Sequence, residues 1–308
     1  MKLKALITGG TGTIGNELIP KLVENGIEVV LVSRNPKNDS KYPTYLWNPE
    51  LNILDKEALK GINVIVHLAG EGIADGLWTK KRKKALFDSR INSARLLLEK
   101  CKEENISLEA FVSSSAVGYY GGITSEKVFI ETDPFYPDFL GNLCKKWEDS
   151  AFGFSEISKR VVVLRTGIVF AKHGGFLEKT GKLFRYNLAQ VLGDGKQFIP
   201  WIHLEDLCRM YLLAILEKNG IYNAVGPEDL TNQEFTQIYA KVLGKKVWLP
   251  ALPKFLAKLL LGEFSVLLME GSRVSAEKFI SEGFSYSYTS ANKALEDCVN
   301  THKETIKN

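Results

Sequence analysis

Eight residues near the amino terminus, Thr8-Gly9-Gly10-Thr11-Gly12-Thr13-Ile14-Gly15, carry glycines at three-residue spacing. An apolar run precedes them and an amphipathic stretch follows, so the loop joins a strand to a helix. In that setting such a loop suits the pyrophosphate of a dinucleotide. Gly9 permits the tight turn, Gly12 lets the backbone approach a phosphate, and Gly15 lets the helix pack closely on the sheet. The helix start at Thr13 and Ile14 presents free N–H groups and the positive end of the helix dipole to the anion. The end of the next strand selects the dinucleotide. NAD sites carry an acidic residue there, bonded to a ribose 2′-hydroxyl. This chain has Val32-Ser33-Arg34-Asn35 instead. Ser33 can donate to a 2′-phosphate, and Arg34 can pair with it or stack on adenine. These residues point to NADP(H); the alternative is that Arg34 is a surface residue and another group reads the ribose.

The elements that must hold this loop are legible as apolar runs separated by helix-length stretches. Strands are expected over Ala5–Thr8, Glu28–Ser33, Asn63–Leu68, Ala110–Ser115 and Val161–Thr166. Helices are expected over Ile14–Asn25, Trp78–Glu104 and Phe139–Phe154. Strands apolar throughout, alternating with helices, imply a parallel sheet covered on both faces, hence a doubly wound α/β fold. After Thr166 the pattern breaks into short units, with helices near Glu205–Leu216, Asn232–Leu243, Pro253–Leu261 and Ser275–Glu282 and a strand at Ile221–Ala224. The reading is a Rossmann domain over residues 1–166 and a smaller, mostly helical substrate domain over 167–308, with a blurred border where the chain can cross back to the sheet.

Bulk properties narrow the class. The 308 residues are 45% hydrophobic and 25% charged with a net charge of +4, an ordinary soluble composition. The run Lys80-Lys81-Arg82-Lys83-Lys84 reads as a solvated helix face, so nucleic acid is not expected as a partner. Cys101, Cys144, Cys208 and Cys298 lack metal-ligand spacing and form no disulfide framework, which fits a reducing cytoplasmic compartment without a metal. Strand-like residues follow Met1 directly, leaving no room for a signal peptide. The most apolar stretch, Leu256 to Met269, is broken by Lys258, Gly262 and Glu263, so no membrane span is expected.

Together these segments resemble the extended short-chain dehydrogenases/reductases, the superfamily of NAD-dependent epimerases and dehydratases. Leu68-Ala69-Gly70-Glu71 resembles the strand end that lies along the cofactor. Ser113-Ser114-Ser115, followed by Val117-Gly118-Tyr119-Tyr120-Gly121, resembles the active-site serine strand, and Leu164-Arg165-Thr166-Gly167-Ile168-Val169 the strand and loop beneath the nicotinamide. Trp201-Ile202-His203-Leu204-Glu205-Asp206 resembles the segment that opens the substrate half. Gly70-Glu71, Trp78, Asp88-Ser89-Arg90, Asp138-Phe139-Leu140 through Trp147-Glu148 and Gly174-Gly175 resemble an uncharacterised, NADP-binding, epimerase-like subfamily, over nearly the whole chain. The resemblance implies that Leu68, Ala69, Gly70, Arg90 and Val169 touch the cofactor, with Ser115 orienting a substrate carbonyl. For Arg90 the alternative is a helix-surface pair with an acid such as Asp88.

One departure limits what carries over. The superfamily resembles a Ser-Tyr-Lys relay in which Tyr-x-x-x-Lys follows the serine by roughly 25 residues. Here that register holds Leu140 and Cys144, and no tyrosine in the chain has lysine four residues later. Tyr119 and Tyr120 are the substitute proton donors closest in sequence to the serine strand, alternatively packing aromatics. Glu71, Lys145 and Lys146 are less well placed. His203 and Asp206, three apart, are read on one helix face, with a capping role as the plainer alternative. Trp201 and Phe198 form either an apolar wall for a ligand or core. Three functions follow: an NADP(H)-dependent oxidoreductase or isomerase with a non-standard acid and an unidentified small-molecule substrate; a non-catalytic NADP(H)-dependent binding or sensor protein; and, ranked last, a conventional nucleotide-sugar epimerase holding NAD. A monomer or a homodimer fits each.

Overall fold

A computed structural model of the chain describes residues 2–37 and 39–305. Among the described residues there are twelve strands: β1 (Lys4–Thr8), β2 (Glu28–Ser33), β3 (Thr44–Asn48), β4 (Ile53–Leu54), β5 (Val64–His67), β6 (Ala110–Ala116), β7 (Val128–Phe129), β8 (Val161–Thr166), β9 (Ile168–Phe170), β10 (Trp201–His203), β11 (Gly220–Ala224) and β12 (Arg273–Val274). The helices are α1 (Thr13–Glu24), α2 (Lys80–Glu103), α3 (Phe139–Phe152), α4 (Gly175–Arg185), α5 (Leu204–Leu216), α6 (Asn232–Val242), α7 (Lys254–Leu261), α8 (Val266–Met269), α9 (Glu277–Ser281) and α10 (Ala291–Thr305).

Eight strands form one sheet in the order β11-β8-β6-β5-β1-β2-β3-β4. The pairs β1–β2, β1–β5, β2–β3 and β5–β6 run parallel, and only the short β3–β4 pair among those registered in this sheet is antiparallel. Every residue of β5 and β8 is buried, as expected of strands covered on both faces. The sheet order reverses direction beside β1, and parallel α/β sheets bind ligands at the carboxyl ends of their strands at such a switch point.

The chain divides into two compact units. The first comprises Met1–Ser115, Asn142–Leu164 and Cys208–Tyr222, and the second Ala116–Gly141, Arg165–Leu207 and Asn223–Asn308. The core of the first is built from Leu6, Ile65, Phe111, Phe154 and their neighbours, with the Phe111 and Phe154 rings stacked 3.6 Å apart. The core of the second gathers Phe170, Trp201, Phe235 and Tyr239 with the buried face of α10. Here α6 begins with a capping box, the Thr231 side chain and Glu234 each satisfying the other's backbone. The second unit also holds two small parallel pairs, β9–β10 and β7–β12. All four cysteines are buried free thiols. Among the described residues no helix is long and apolar enough to cross a membrane.

Candidate functional site

Thr8 and His67 end β1 and β5 in register, and Ser113 stands beside His67 midway along β6. The glycine loop leaves the sheet from this row. Gly9 has φ +68°, and a Cβ there would lie 2.9 Å from the Ala69 nitrogen. Only glycine fits both demands. The Gly12 amide donates to the Gly9 carbonyl at 3.0 Å and closes the turn. A Cβ at Gly15 would stand 2.5 Å from the Gly10 carbonyl oxygen, so this glycine lets α1 start against the loop. Gly12 caps α1 with no side-chain acceptor, and no acidic residue occupies the first turn. The Thr13 and Ile14 end of the helix thus keeps its positive field for an outside anion. Stripped of side chains and of competing carboxylates, this cradle fits the phosphates of a dinucleotide.

At the end of β2 the Ser33 Oγ accepts from the Asn35 amide at 3.2 Å, leaving its own proton to donate elsewhere. Arg34 is exposed, and among the described residues its guanidinium has no ion-pair partner. No carboxylate occupies this strand end.

Behind the loop runs a buried relay that the sequence did not disclose. The Ala69 amide donates to Thr8 Oγ1 (3.0 Å), which lies 2.9 Å from His67 Nδ1, while His67 Nε2 lies 3.1 Å from Ser93 Oγ. Ser93 in turn donates to the Ser89 carbonyl at 2.7 Å. Neutral His67 with its proton on Nε2 satisfies each link in one direction. Burial lowers the His67 pKa to about 4, so neutral is its state at ordinary pH. A lone histidine in an apolar strand was the available signal. The relay ties the glycine loop to α2, which carries Arg90.

Arg90 does not make the surface pair with Asp88 that was its alternative. Asp88 pairs with Lys84, whereas Arg90 is buried. Its Nη2 donates to the Glu71 carbonyl at 2.8 Å and its Nη1 to the Leu86 carbonyl at 3.1 Å, and its guanidinium lies 4.7 Å over the Trp147 ring. Burial pushes its pKa down to about 10, so it stays cationic. Its Nε and the Trp147 Nε1 are buried donors without an acceptor. A Cβ at Gly70 would come within 3.2 Å of the Arg90 Cζ, so the Leu68-Ala69-Gly70 segment lies directly on this cation. The Glu71 carboxylate accepts from Arg82 Nη1 at 3.0 Å; one member of the basic run therefore folds back onto the loop. Lys145 pairs with Asp149 and Lys146 lies over Phe87, both on the outer face of α3.

Ser115 Oγ, at the end of β6, donates to Glu148 Oε1 on α3 at 2.7 Å, with each residue 3% exposed. Ser114 Oγ lies 2.5 Å from the Tyr211 hydroxyl.

This scaffold matches known sequences over nearly its whole length. Residues 5–225 fit the NAD dependent epimerase/dehydratase family, and residues 252–298 fit a domain of unknown function, DUF1731. The chain belongs to the NAD-dependent epimerase/dehydratase family. An epimerase family protein of Mycobacterium leprae is 33% identical over 298 residues, covering 96% of this chain and 95% of its own. Epimerase family protein SDR39U1 of Homo sapiens is 33% identical over 305 residues, 96% of this chain and 100% of its own. The crystal structure of human SDR39U1 (isoform 2) with NADPH superimposes with a TM-score of 0.86 at 32% identity, covering 97% of this chain and 99% of that one.

In this epimerase/dehydratase chain the two tyrosines after the serine strand belong to the second unit, in a tight turn over residues 117–120. Tyr120 is fully enclosed. Its hydroxyl accepts from Arg165 Nη1 at 3.0 Å and lies 2.7 Å from Asn223 Oδ1, and burial pushes its pKa up to about 12. The Arg165 guanidinium sits 3.4 Å over the Tyr119 ring and also donates to the Glu131 carbonyl. With the Ile130 carbonyl also 3.1 Å away, the Tyr120 hydroxyl is already engaged by three groups of its own unit and serves the fold. Tyr120→Phe is expected to cost about 1–3 kcal/mol, since it strips a buried guanidinium of one acceptor; a urea-denaturation midpoint equal to wild type would show the bond to be dispensable.

Val169 is half-buried in β9, in register with Ile202 of β10. His203 ends β10 and is not on the helix face expected for it. Its Nδ1 accepts from the Glu205 amide at 3.2 Å, which is the capping role, and its Nε2 lies 3.3 Å from Asp297. Asp206 accepts from the Ser287 and Tyr288 amides and pins that loop. Trp201 is core, stacked on Phe170 at 5.4 Å. Glu148 carries no signal of its own in the sequence, where the expected proton-pair register falls on Leu140 and Cys144; it lies one further turn along the same helix face.

Proposed function

We propose that the chain binds NADP(H) and acts as an oxidoreductase or isomerase on a carbonyl or hydroxyl of a small molecule. The observation that carries this reading is the uncapped glycine cradle of Gly9, Gly12, Thr13, Ile14 and Gly15 beside a strand end that offers Ser33 and Arg34 with no carboxylate. Ser33 and Arg34 hold the 2′-phosphate, and Leu68, Ala69, Gly70, Arg90 and Val169 line the rest of the dinucleotide. The human relative crystallised with NADPH supports the same choice. Bound NADPH supplies the hydride. Ser115 orients the carbonyl that receives it. Tyr119, still slightly exposed, remains a candidate for shaping the substrate end, while Tyr120 serves the fold.

The test is a titration with NADPH and NADH, read by melting temperature, in wild type and Arg34→Ala. A ligand at a hundred times its Kd stabilises the native state by about 2.7 kcal/mol. NADPH is expected to raise the melting temperature more than NADH does, and Arg34→Ala to weaken NADPH roughly tenfold or more while leaving NADH alone. Equal responses to both nucleotides in wild type would remove the NADP(H) assignment. Leu140 and Cys144, where the superfamily's proton pair is expected, favour a second reading: an NADP(H)-dependent binding protein that turns nothing over. It predicts the same titration with no NADPH consumption by any carbonyl compound.

A further inference from the structure

We propose that Glu148, acting through Ser115, is the proton source of this site, in place of the missing tyrosine and lysine; the proposal rests on the oxidoreductase reading above. Three observations carry it. The Ser115 Oγ and Glu148 Oε1 are hydrogen-bonded at 2.7 Å, and both residues are buried. Glu148 shares its helix face with Leu140 and Cys144, at spacings of eight and four residues, so α3 presents a titratable group on the face where the relay is expected. Ser115 lies two residues beyond the row that carries the glycine loop, on the same strand as Ser113, which is in register with His67, itself in register with Thr8. On α3 the preceding residue, Trp147, packs under Arg90 against the Gly70-Glu71 segment. A buried carboxyl joined to a hydroxyl beside a dinucleotide cradle has the composition of a general acid.

The proton balance is simple. With Glu148 ionised, the Ser115 proton points at the carboxylate, as observed. When Glu148 is protonated the bond reverses: the carboxylic O–H donates to Ser115 Oγ and the serine proton is freed toward a substrate carbonyl oxygen. As the carbonyl carbon accepts the hydride, its π electrons move to oxygen, which takes the Ser115 proton. Ser115 takes the Glu148 proton, and the carboxylate regains one from solvent. A carbonyl, NADPH and one proton become an alcohol and NADP+; oxidation runs the same path backwards.

The experiment uses 9,10-phenanthrenequinone as carbonyl probe and follows NADPH oxidation in wild type, Glu148→Gln and Glu148→Asp. A parallel infrared titration without nucleotide compares wild type, Glu148→Gln and Ser115→Ala. Glu148→Gln, nearly isosteric, is expected to lower kcat roughly a hundredfold or more, with the KM for the quinone and the NADPH-induced melting shift intact. Glu148→Asp is expected to restore part of the rate. In the infrared, the carboxylic C=O band lost in Glu148→Gln is expected to shift in Ser115→Ala. An active wild type matched by Glu148→Gln in kcat overturns this proposal alone, as does a carboxyl band indifferent to Ser115→Ala. A wild type that binds NADPH but oxidises none overturns the oxidoreductase reading, and this proposal falls with it.

Discussion

Alanine at Gly15 is expected to abolish NADPH binding while the rest of the fold survives. The added methyl would lie 2.5 Å from the Gly10 oxygen and 2.6 Å from the Gly10 Cα, both backbone atoms. Neither can rotate away, so the first turn of α1 must lift or the loop must move outward. Overpacking of this kind costs about 1–3 kcal/mol. The functional loss is larger, because phosphate recognition by helix N–H groups depends on their aim and fades within the first turn. Gly26→Ala is the internal control. Gly26 follows α1 with φ +75°, and a methyl added there meets nothing within 4 Å. That change costs about 1–2 kcal/mol from the left-handed backbone alone and should leave the nucleotide affinity unaltered. Isothermal titration of the two variants separates a damaged cradle from a merely weakened fold. Wild-type affinity in Gly15→Ala would mean that the phosphates bind elsewhere.

His67 predicts a loss of stability in mild acid. Its pKa is lowered to about 4 in the fold by burial, whereas a histidine in the unfolded chain titrates near 6.5. Between these values the unfolded chain holds the extra proton, so stability rises with pH across the window. The contribution is complete above about pH 6.5 and is lost progressively toward pH 4, amounting to about 3 kcal/mol across the whole interval and about 2 kcal/mol by pH 5. His203, also shifted downward by burial, acts with the same sign. His67→Leu isolates the effect of His67. The variant is expected to be less stable than wild type at pH 7.5, since it orphans Thr8 and Ser93, but its deficit should shrink by about 2 kcal/mol at pH 5. Urea midpoints at the two pH values decide it. A deficit that stays constant between them would mean that the ring is protonated in the fold or reached by solvent.

The sheet was readable because its central strands are built around short apolar runs. Glu28–Ser33 and Val161–Thr166 lie where periodicity put them, to the residue. Other elements were hidden by their punctuation. β3, Thr44–Asn48, sits between Pro43 and Pro49 and reads as a loop, but β2 supplies the missing ladder partner. Gly174-Gly175 reads as a turn, yet α4 begins at Gly175, held by burial of Leu177 and Phe184. α10 has few apolar residues, and its buried Ala291, Ala294 and Leu295 matter only once Phe170 and Trp201 are packed beside them. The phosphate cradle was legible because glycine spacing is a local property. The Ser115–Glu148 and Thr8–His67–Ser93 links were not, because they join residues that only strand register and helix docking bring within reach.

The return of the chain at β11 bears on how the molecule is made. β11 completes the sheet beside β8, yet 53 residues, 167–219, separate the two strands in sequence. At translation rates of roughly 5–20 residues per second, β8 emerges several seconds before its neighbour exists. Throughout that interval a nascent chain carries an open row of amide and carbonyl groups on a strand whose first four residues are apolar. Such a row invites pairing with other chains. The nucleotide cradle, encoded entirely upstream of this gap, has all its glycines, Ser33, Arg34 and Arg90 synthesised before the interval begins.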